Sequence, residues 1–267
     1  MATLAPRPCY ATAMIDIRQF PCLDDNYGFL IHDAASGETA TIDTPDADAI
    51  LAAADAAGWR LTQIWNTHWH PDHAGGNAAI VAKTGARVTG PKEVERIGKA
   101  PDRIVDEGDT AMLGANCARV LNVGGHTLGH IAYIFDDQQV GFVGDALFSL
   151  GCGKMFEGTA PQFWGSLSKI AALDDAFTLY CAHEYTAGNA RYAVHVDPDN
   201  AALRERSAEI SALRGEGKPT VPMNLGQEKR TNPFLRAPLL KQRLGLAGKP
   251  DHEAFHALRE GKDNFKG

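Results

Sequence analysis

The sequence predicts a mixed α/β fold followed by an all-helical tail. Short apolar strand-like runs recur as far as residue 182, and a few helical segments are interspersed among them. Beyond residue 183 the strand signal fades and charged helical periodicity takes over. Many strands with occasional helices, rather than strict alternation, point to mixed sheets flanked by helices. A chain of 267 residues can bury a large core in one domain or two.

In order along the chain, residues 1–13 read as a polar extension, and Met14 is a candidate natural start. Strand-like runs cover residues 15–20, 27–32, 39–43, 61–66, 119–123, 131–135, 140–143 and 178–182. A helix is expected over 46–57, with Thr44 as its cap, Pro45 at its first position and Gly58 just past its end. Further helices are expected over 76–84 and 161–173. In residues 200–214, Leu203, Ile210 and Leu213 share one side of a helix. Residues 219–238 read as extended and proline-punctuated, and 251–262 as a last helix. The expected division is an extension over 1–13, a first domain over 14–185 and a helical domain over 186–267.

Composition narrows the partners. A formal net charge of −7 argues against general affinity for nucleic acid or an anionic membrane. No apolar run approaches the roughly 20 residues that span a bilayer, and the first 13 residues lack the apolar block of a secretory signal. Cys9, Cys22, Cys117, Cys152 and Cys181 are odd in number and widely spread, which suits reduced thiols in a cytoplasm. No heptads or long apolar stripe demand a partner, so a monomer is expected.

The strongest signal is Thr67-His68-Trp69-His70-Pro71-Asp72-His73, directly after the strand-like run 61–66. On an extended backbone positions two apart share a face, so His68 and His70 can converge. Pro71 then breaks the strand, Asp72 and His73 can face a second centre, and Gly75-Gly76 allows a sharp turn. His126, Asp145 and His183 stand where later strands run out into loops, positions from which side chains gather at a sheet edge. These seven groups exceed the four that one tetrahedral cation takes. They suffice for two divalent cations if Asp145 bridges. With no cysteine among them, the set suits zinc first, and iron or manganese next. His32, His195, His252 and His256 read as ordinary structural histidines, and His130 as structural or as a support for a ligand.

The T-H-x-H-x-D-H run with His126, Asp145 and His183 resembles the metallo-β-lactamase superfamily over most of residues 14–183. That resemblance implies a four-layer αββα sandwich with metals at one edge of the two sheets. Further features are similar to one family within it, glyoxalase II or hydroxyacylglutathione hydrolase. They are Gly151-Cys152-Gly153-Lys154-Met155-Phe156-Glu157-Gly158, His183-Glu184-Tyr185-Thr186, Asn232-Pro233-Phe234, and Arg259 with Lys262-Asp263-Asn264-Phe265-Lys266. The likeness runs from Met14 to the C-terminus and makes 14–185 the catalytic domain and 186–267 a substrate-binding domain. It implies a first metal on His68, His70 and His126, a second on Asp72, His73 and His183, and Asp145 between them. Lys154, Tyr185, Arg259 and Lys262 would contact glutathione. Phe156 stands where some members carry tyrosine, which removes a hydroxyl from that contact.

The implied reaction is hydrolysis of S-D-lactoylglutathione to glutathione and D-lactate, in methylglyoxal detoxification. A water bridging two cations loses a proton near neutral pH, so no base residue is needed. Asp72 and Asp145 are then the protein groups nearest the chemistry, Asp72 also orienting the nucleophile. The leaving thiolate, from a thiol of pKa roughly 8.5, departs without a strong acid. Glutathione carries two carboxylates and one ammonium, which Lys154, Arg259 and Lys262 would complement on an acidic chain. The rival enzymes are a mononuclear-iron persulfide dioxygenase and a lactonase or β-lactamase, all disfavoured by the helical tail. A non-catalytic binding protein is expected to have lost a ligand, and all seven are present.

Overall fold

The computed structural model describes residues 14–267. The expectations for residues 1–13 lie outside the described residues. The first sheet contains β1 (Asp16–Cys22), β2 (Asn26–Asp33), β3 (Glu38–Ile42), β4 (Gln63–Trp65), β5 (Arg87–Gly90) and β6 (Arg103–Ile104), hydrogen-bonded in that order. β1 to β3 pair antiparallel and β3 to β6 parallel. Strand alternation gives this sheet two apolar faces. Leu30, Ile64 and Val88 pack with Ile50, Ala54 and Ile80 of the helices outside. Phe29, Ile31 and Trp65 belong to the larger core inside. The outer helices are α1 (Ala47–Ala57) and α3 (Asn77–Thr84), with the single turn α2 (Pro71–Ala74) leading into α3.

The second sheet begins with β7 (Thr110–Leu113), β8 (Asn116–Asn122), β9 (Ile131–Phe135) and β10 (Val140–Gly144). β11 (Leu147–Phe148) and β12 (Gly151–Cys152) then form a short separate hairpin. β13 (Thr178–Cys181) and β14 (Met223–Asn224) complete the sheet, whose order is β14-β13-β10-β9-β8-β7. Aromatic rings bind the two sheets together: Phe29 meets Phe142 at 5.7 Å and Trp65 meets Tyr133 at 5.1 Å between centroids. Helix α4 (Ala160–Ala171) adds Phe163, Leu167 and Ile170 to the same core, and the sequence of layers is helix, sheet, sheet, helix. The tail comprises α5 (Thr186–Val196), α6 (Ala201–Gly215), α7 (Leu225–Thr231), α8 (Ala237–Leu240) and α9 (Asp251–Asn264). Phe255 of α9 lies edge-on to Phe163 of α4 at 5.5 Å, so the tail shares the sandwich core. Among the described residues no helix is long and apolar enough to cross a membrane.

Several local expectations change. Asp46, not Thr44, caps α1, its carboxylate accepting from the N–H groups of Asp48 and Ala49. Thr44 is buried and its hydroxyl donates to Asn77 Oδ1 at 2.8 Å. Gly58 ends the helix in the left-handed conformation, as its position suggests (φ 69°). The stretch 219–238 is not extended throughout, because Asn224 caps α7 and Pro238 lies in the first turn of α8. Those helices, like the short strands β5 to β7, hold too few residues for periodicity to register. α5 was not anticipated either.

Candidate metal centre

β4 ends at Trp65, and residues 66–70 form a loop into α2. His68 and His70 therefore meet through this loop and not through strand alternation. Gly76 is needed for closeness and not for the turn. Its backbone is right-handed (φ −80°), and a Cβ there would lie 2.7 Å from Thr44 O.

The seven expected groups come together in two clusters. In the first, His68 Nε2 and His126 Nε2 approach His70 Nδ1 at 3.1 and 3.0 Å. In the second, Asp72 Oδ2 lies 3.5 Å from His73 Nε2 and 3.4 Å from His183 Nε2. Asp145 faces both clusters. Its Oδ1 is 3.4 Å from His73 Nε2 and from His183 Nε2, and its Oδ2 is 3.4 Å from His126 Nε2.

The far nitrogen of four rings meets a fixed partner, which sets the ring orientation and leaves the near nitrogen facing the site. His126 Nδ1 donates to Lys154 O at 2.7 Å, and His183 Nδ1 to Asp25 Oδ1 at 2.9 Å. His73 Nδ1 donates to Asp43 Oδ2 at 2.8 Å, and His68 Nδ1 lies 3.1 Å from Thr67 Oγ1. Asp43 also accepts from the Thr67 N–H and hydroxyl, at 2.7 and 2.8 Å. His130 Nε2 accepts from the Asp145 N–H at 3.0 Å, so this histidine braces Asp145 from behind. Asn26 Nδ2 donates to Asp72 Oδ2 at 3.2 Å.

The donor set fits divalent cations. Burial, then neighbouring imidazoles, holds His68 well below the usual histidine range, and burial also lowers His70 and His126. Both effects favour the neutral ring, the form whose lone pair a cation takes. In the second cluster burial acts in the same direction but carboxylates outweigh it. Asp145 and Asp43 lift His73 to about 10, and Asp145, Asp72 and Asp25 lift His183 to about 11. Burial opposes ionisation of Asp72 and Asp145, yet their histidine neighbours hold both carboxyls far below the usual range. Without metal, protons sit where positive charge is demanded. His73 Nε2 and Asp145 Oδ1 are buried and make no hydrogen bond. A buried polar atom left so costs about 1–3 kcal/mol, which a cation between them would relieve.

Beside His183 a cleft of about 370 Å³ is lined by Lys154, Tyr185, Arg259 and Lys262 together with Phe148 and Asn189. Tyr185 stacks on His183 at 4.7 Å with planes 3° apart, and Phe148 meets Tyr185 edge-on. Lys262 Nζ donates to Gly188 O at 3.0 Å. Burial, then the neighbouring guanidiniums, pushes its ammonium below the usual lysine range. Arg259 is 6% exposed and already engaged: Nη1 donates to Cys152 O at 2.8 Å and Nη2 to Asp263 Oδ1 at 2.9 Å. Phe156 lies outside this lining, edge-on to His70 and His126 at 5.7 and 5.3 Å and with Lys154 Nζ 5.3 Å from its ring.

Sequence reading missed Asp25, Asn26 and Asp43. Asp43 closes a strand as Asp145 does, and that same criterion would have found it. Asp24-Asp25-Asn26 reads as ordinary turn chemistry.

Residues 30–183 match the model of the metallo-beta-lactamase superfamily, and residues 184–265 match that of the hydroxyacylglutathione hydrolase C-terminus. The chain is 58% identical over 254 residues to a hydroxyacylglutathione hydrolase of Erythrobacter litoralis (strain HTCC2594), covering 94% of this chain and 100% of the relative. It is 53% identical over 251 residues to one of Maricaulis maris (strain MCS10), covering 93% and 98%. Among solved structures, that of ETHE1 from Myxococcus xanthus superposes with a TM-score of 0.67 at 26% identity, covering 94% of this chain and 92% of that one.

Proposed function

This chain belongs to the hydroxyacylglutathione hydrolase family of the metallo-beta-lactamase superfamily, and we propose that it hydrolyses the thioester of glutathione with a 2-hydroxy acid, S-D-lactoylglutathione foremost. Water adds to the acyl carbon, the carbon–sulfur bond breaks, and glutathione and the hydroxy acid leave. The observation that carries the reading is Asp145, whose two oxygens face the two histidine clusters beside a cationic cleft.

His68, His70 and His126 would hold one cation and Asp72, His73 and His183 the other, with Asp145 shared. Zinc is the first expectation, and iron or manganese suit the same donors. Such cations would lower the pKa of a bound water and polarise the thioester carbonyl. The chain's own residues do the rest. The Asp72 side chain is 36% exposed, against 9% for Asp145, so Asp72 is the carboxylate able to orient incoming water. Lys154 and Lys262 supply positive charge for the glutathione carboxylates, and Tyr185 offers a flat wall next to His183. Arg259 donates to the Cys152 carbonyl and, with Asp263, helps to shape the cleft. Phe156 offers its ring and no hydroxyl beside Lys154. In this reading residues 14–185 carry the chemistry and 186–267 grip the substrate. A monomer in the cytoplasm, needing neither nucleic acid nor membrane, suffices.

Release of free thiol from S-D-lactoylglutathione by the metal-loaded protein tests the proposal. No release with zinc, iron or manganese supplied contradicts it. Lys262→Glu is expected to raise KM about tenfold or more, with kcat within about twofold, because the charge acts in binding and not at the acyl carbon. Lys262 is a cleaner target than Arg259, whose reversal would also set a carboxylate against Asp263. Unchanged KM in both Lys154→Glu and Lys262→Glu removes the two lysines from substrate binding.

A further inference from the structure

The β11–β12 hairpin joins the shared carboxylate to the cleft. Asp145 precedes it, Phe148 lines the cleft, and Lys154 follows it. The hairpin's tip, Ser149–Leu150, points away from the metal cluster into the helical tail. There Leu150 packs with Ala190, Ala193, Leu203 and Ile210. Leu150 holds a left-handed backbone (φ 55°), a conformation a leucine keeps only when its surroundings impose it.

A buried charged network imposes it. Glu228 of α7 is fully buried, and its Oε2 accepts from the Leu150 N–H at 2.9 Å and from Asn232 Nδ2 at 3.0 Å. The same Asn232 amide nitrogen lies 3.0 and 2.9 Å from Phe148 O and Gly151 O, its two hydrogens shared among the three acceptors and bracketing the tip. Arg206 of α6 pairs with Glu228 and donates to Ser149 Oγ at 2.9 Å and Thr231 Oγ1 at 2.6 Å. The two ends of the hairpin are tied differently. Its leading end is fixed a second time, by the Asp145 N–H on His130. Its trailing end carries Lys154, and Lys154 O and Cys152 O accept from His126 and Arg259.

We infer that Glu228, locked by Arg206, is a positioning residue that sets the β11–β12 hairpin and thereby the grip of Lys154 on the glutathione part of the substrate. The inference rests on the proposed thioester hydrolysis and assigns a task within it to the buried ion pair of the tail. A purely structural pair would change stability and leave the balance between binding and turnover alone. A positioning pair changes KM for the full substrate and spares a thioester that never reaches Lys154.

The test compares Glu228→Gln with the unaltered protein on S-D-lactoylglutathione and on the lactoyl thioester of N-acetylcysteamine, which lacks the glutathione carboxylates. Glutamine keeps one acceptor for Leu150 but turns an amide donor toward Arg206. With the Lys154 carbonyl still held by His126 and only its side chain displaced, KM for the glutathione thioester is expected to rise about tenfold, with kcat and bound metal per chain within about twofold and the small thioester unaffected. Should Glu228→Gln fail to fold, Arg206→Lys keeps the charge but cannot hold Ser149, Glu228 and Thr231 in one plane. It is expected to raise the same KM about threefold. Equal losses on both substrates, or an unchanged KM in the variant that folds, overturn the inference. If the unaltered protein hydrolyses neither thioester, the proposed function falls instead.

Discussion

Replacing Asp145 by asparagine is expected to lower kcat/KM for the glutathione thioester by about 10³-fold or more, about 4 kcal/mol of barrier. The substitution is isosteric, and the Asp145 N–H that His130 accepts is unaffected, so the chain should still fold. What disappears is the negative charge, together with an oxygen free to face each cluster. Asp145 Oδ1 lies 3.4 Å from His73 Nε2 and from His183 Nε2, and Oδ2 lies 3.4 Å from His126 Nε2. An amide nitrogen in either position would turn hydrogens toward groups that should bind a cation. Metal content and thiol release measured on the same sample check this. Activity within about tenfold of the unaltered protein, with full metal content, would show that the shared carboxylate is dispensable.

Asp43→Asn should produce the second largest effect, although Asp43 is buried and takes no part in lining the cleft. Its left-handed backbone (φ 59°) suits asparagine as well as aspartate, so the change isolates chemistry from strain. The amide oxygen can still accept from the Thr67 N–H, as Asp43 Oδ1 does at 2.7 Å. Its nitrogen then confronts both the Thr67 hydroxyl and the His73 Nδ1–H, which now donate to one carboxylate oxygen. His73 must rotate or lose its tautomer. Outer partners of this kind are worth about 10–100-fold in metal affinity or activity. Competition with a chelator should show affinity falling in that range, with little change in fold by circular dichroism. Unchanged metal affinity would mean that another contact fixes His73.

The sequence exposed the candidate ligands and concealed their supports, for a physical reason. Three imidazoles and a carboxylate within six residues of one another have few uses apart from metal. His126, Asp145 and His183 stand at strand ends, where a sheet edge collects them. The support from Asp43 depends on His73, thirty positions away, and on Thr67, a contact that only the packing of β3 against β4 creates. Glu228 and Arg206 are similar: in the sequence Arg206 looks like a solvated helix charge and Glu228 falls in a stretch that reads as extended, and only the buried hairpin tip gives them partners. The long strands and helices other than α5 were legible because two or more periods fit inside them. β5 to β7, β11, β12 and α7 hold two to seven residues each. Pairing partners and capping side chains define these, not any repeating pattern. Thr44 shows the same limit at a helix end, where Asp46 takes the cap two places on and Thr44 turns inward to Asn77.

The most direct test is a metal titration of the metal-free protein, following equivalents bound per chain and thiol release from S-D-lactoylglutathione together. Two equivalents of zinc, iron or manganese bound per chain, with activity reaching its plateau only as the second is filled, is the expected result. Full activity at a single equivalent, with no further uptake in excess metal, would contradict a centre in which Asp145 joins two cation sites.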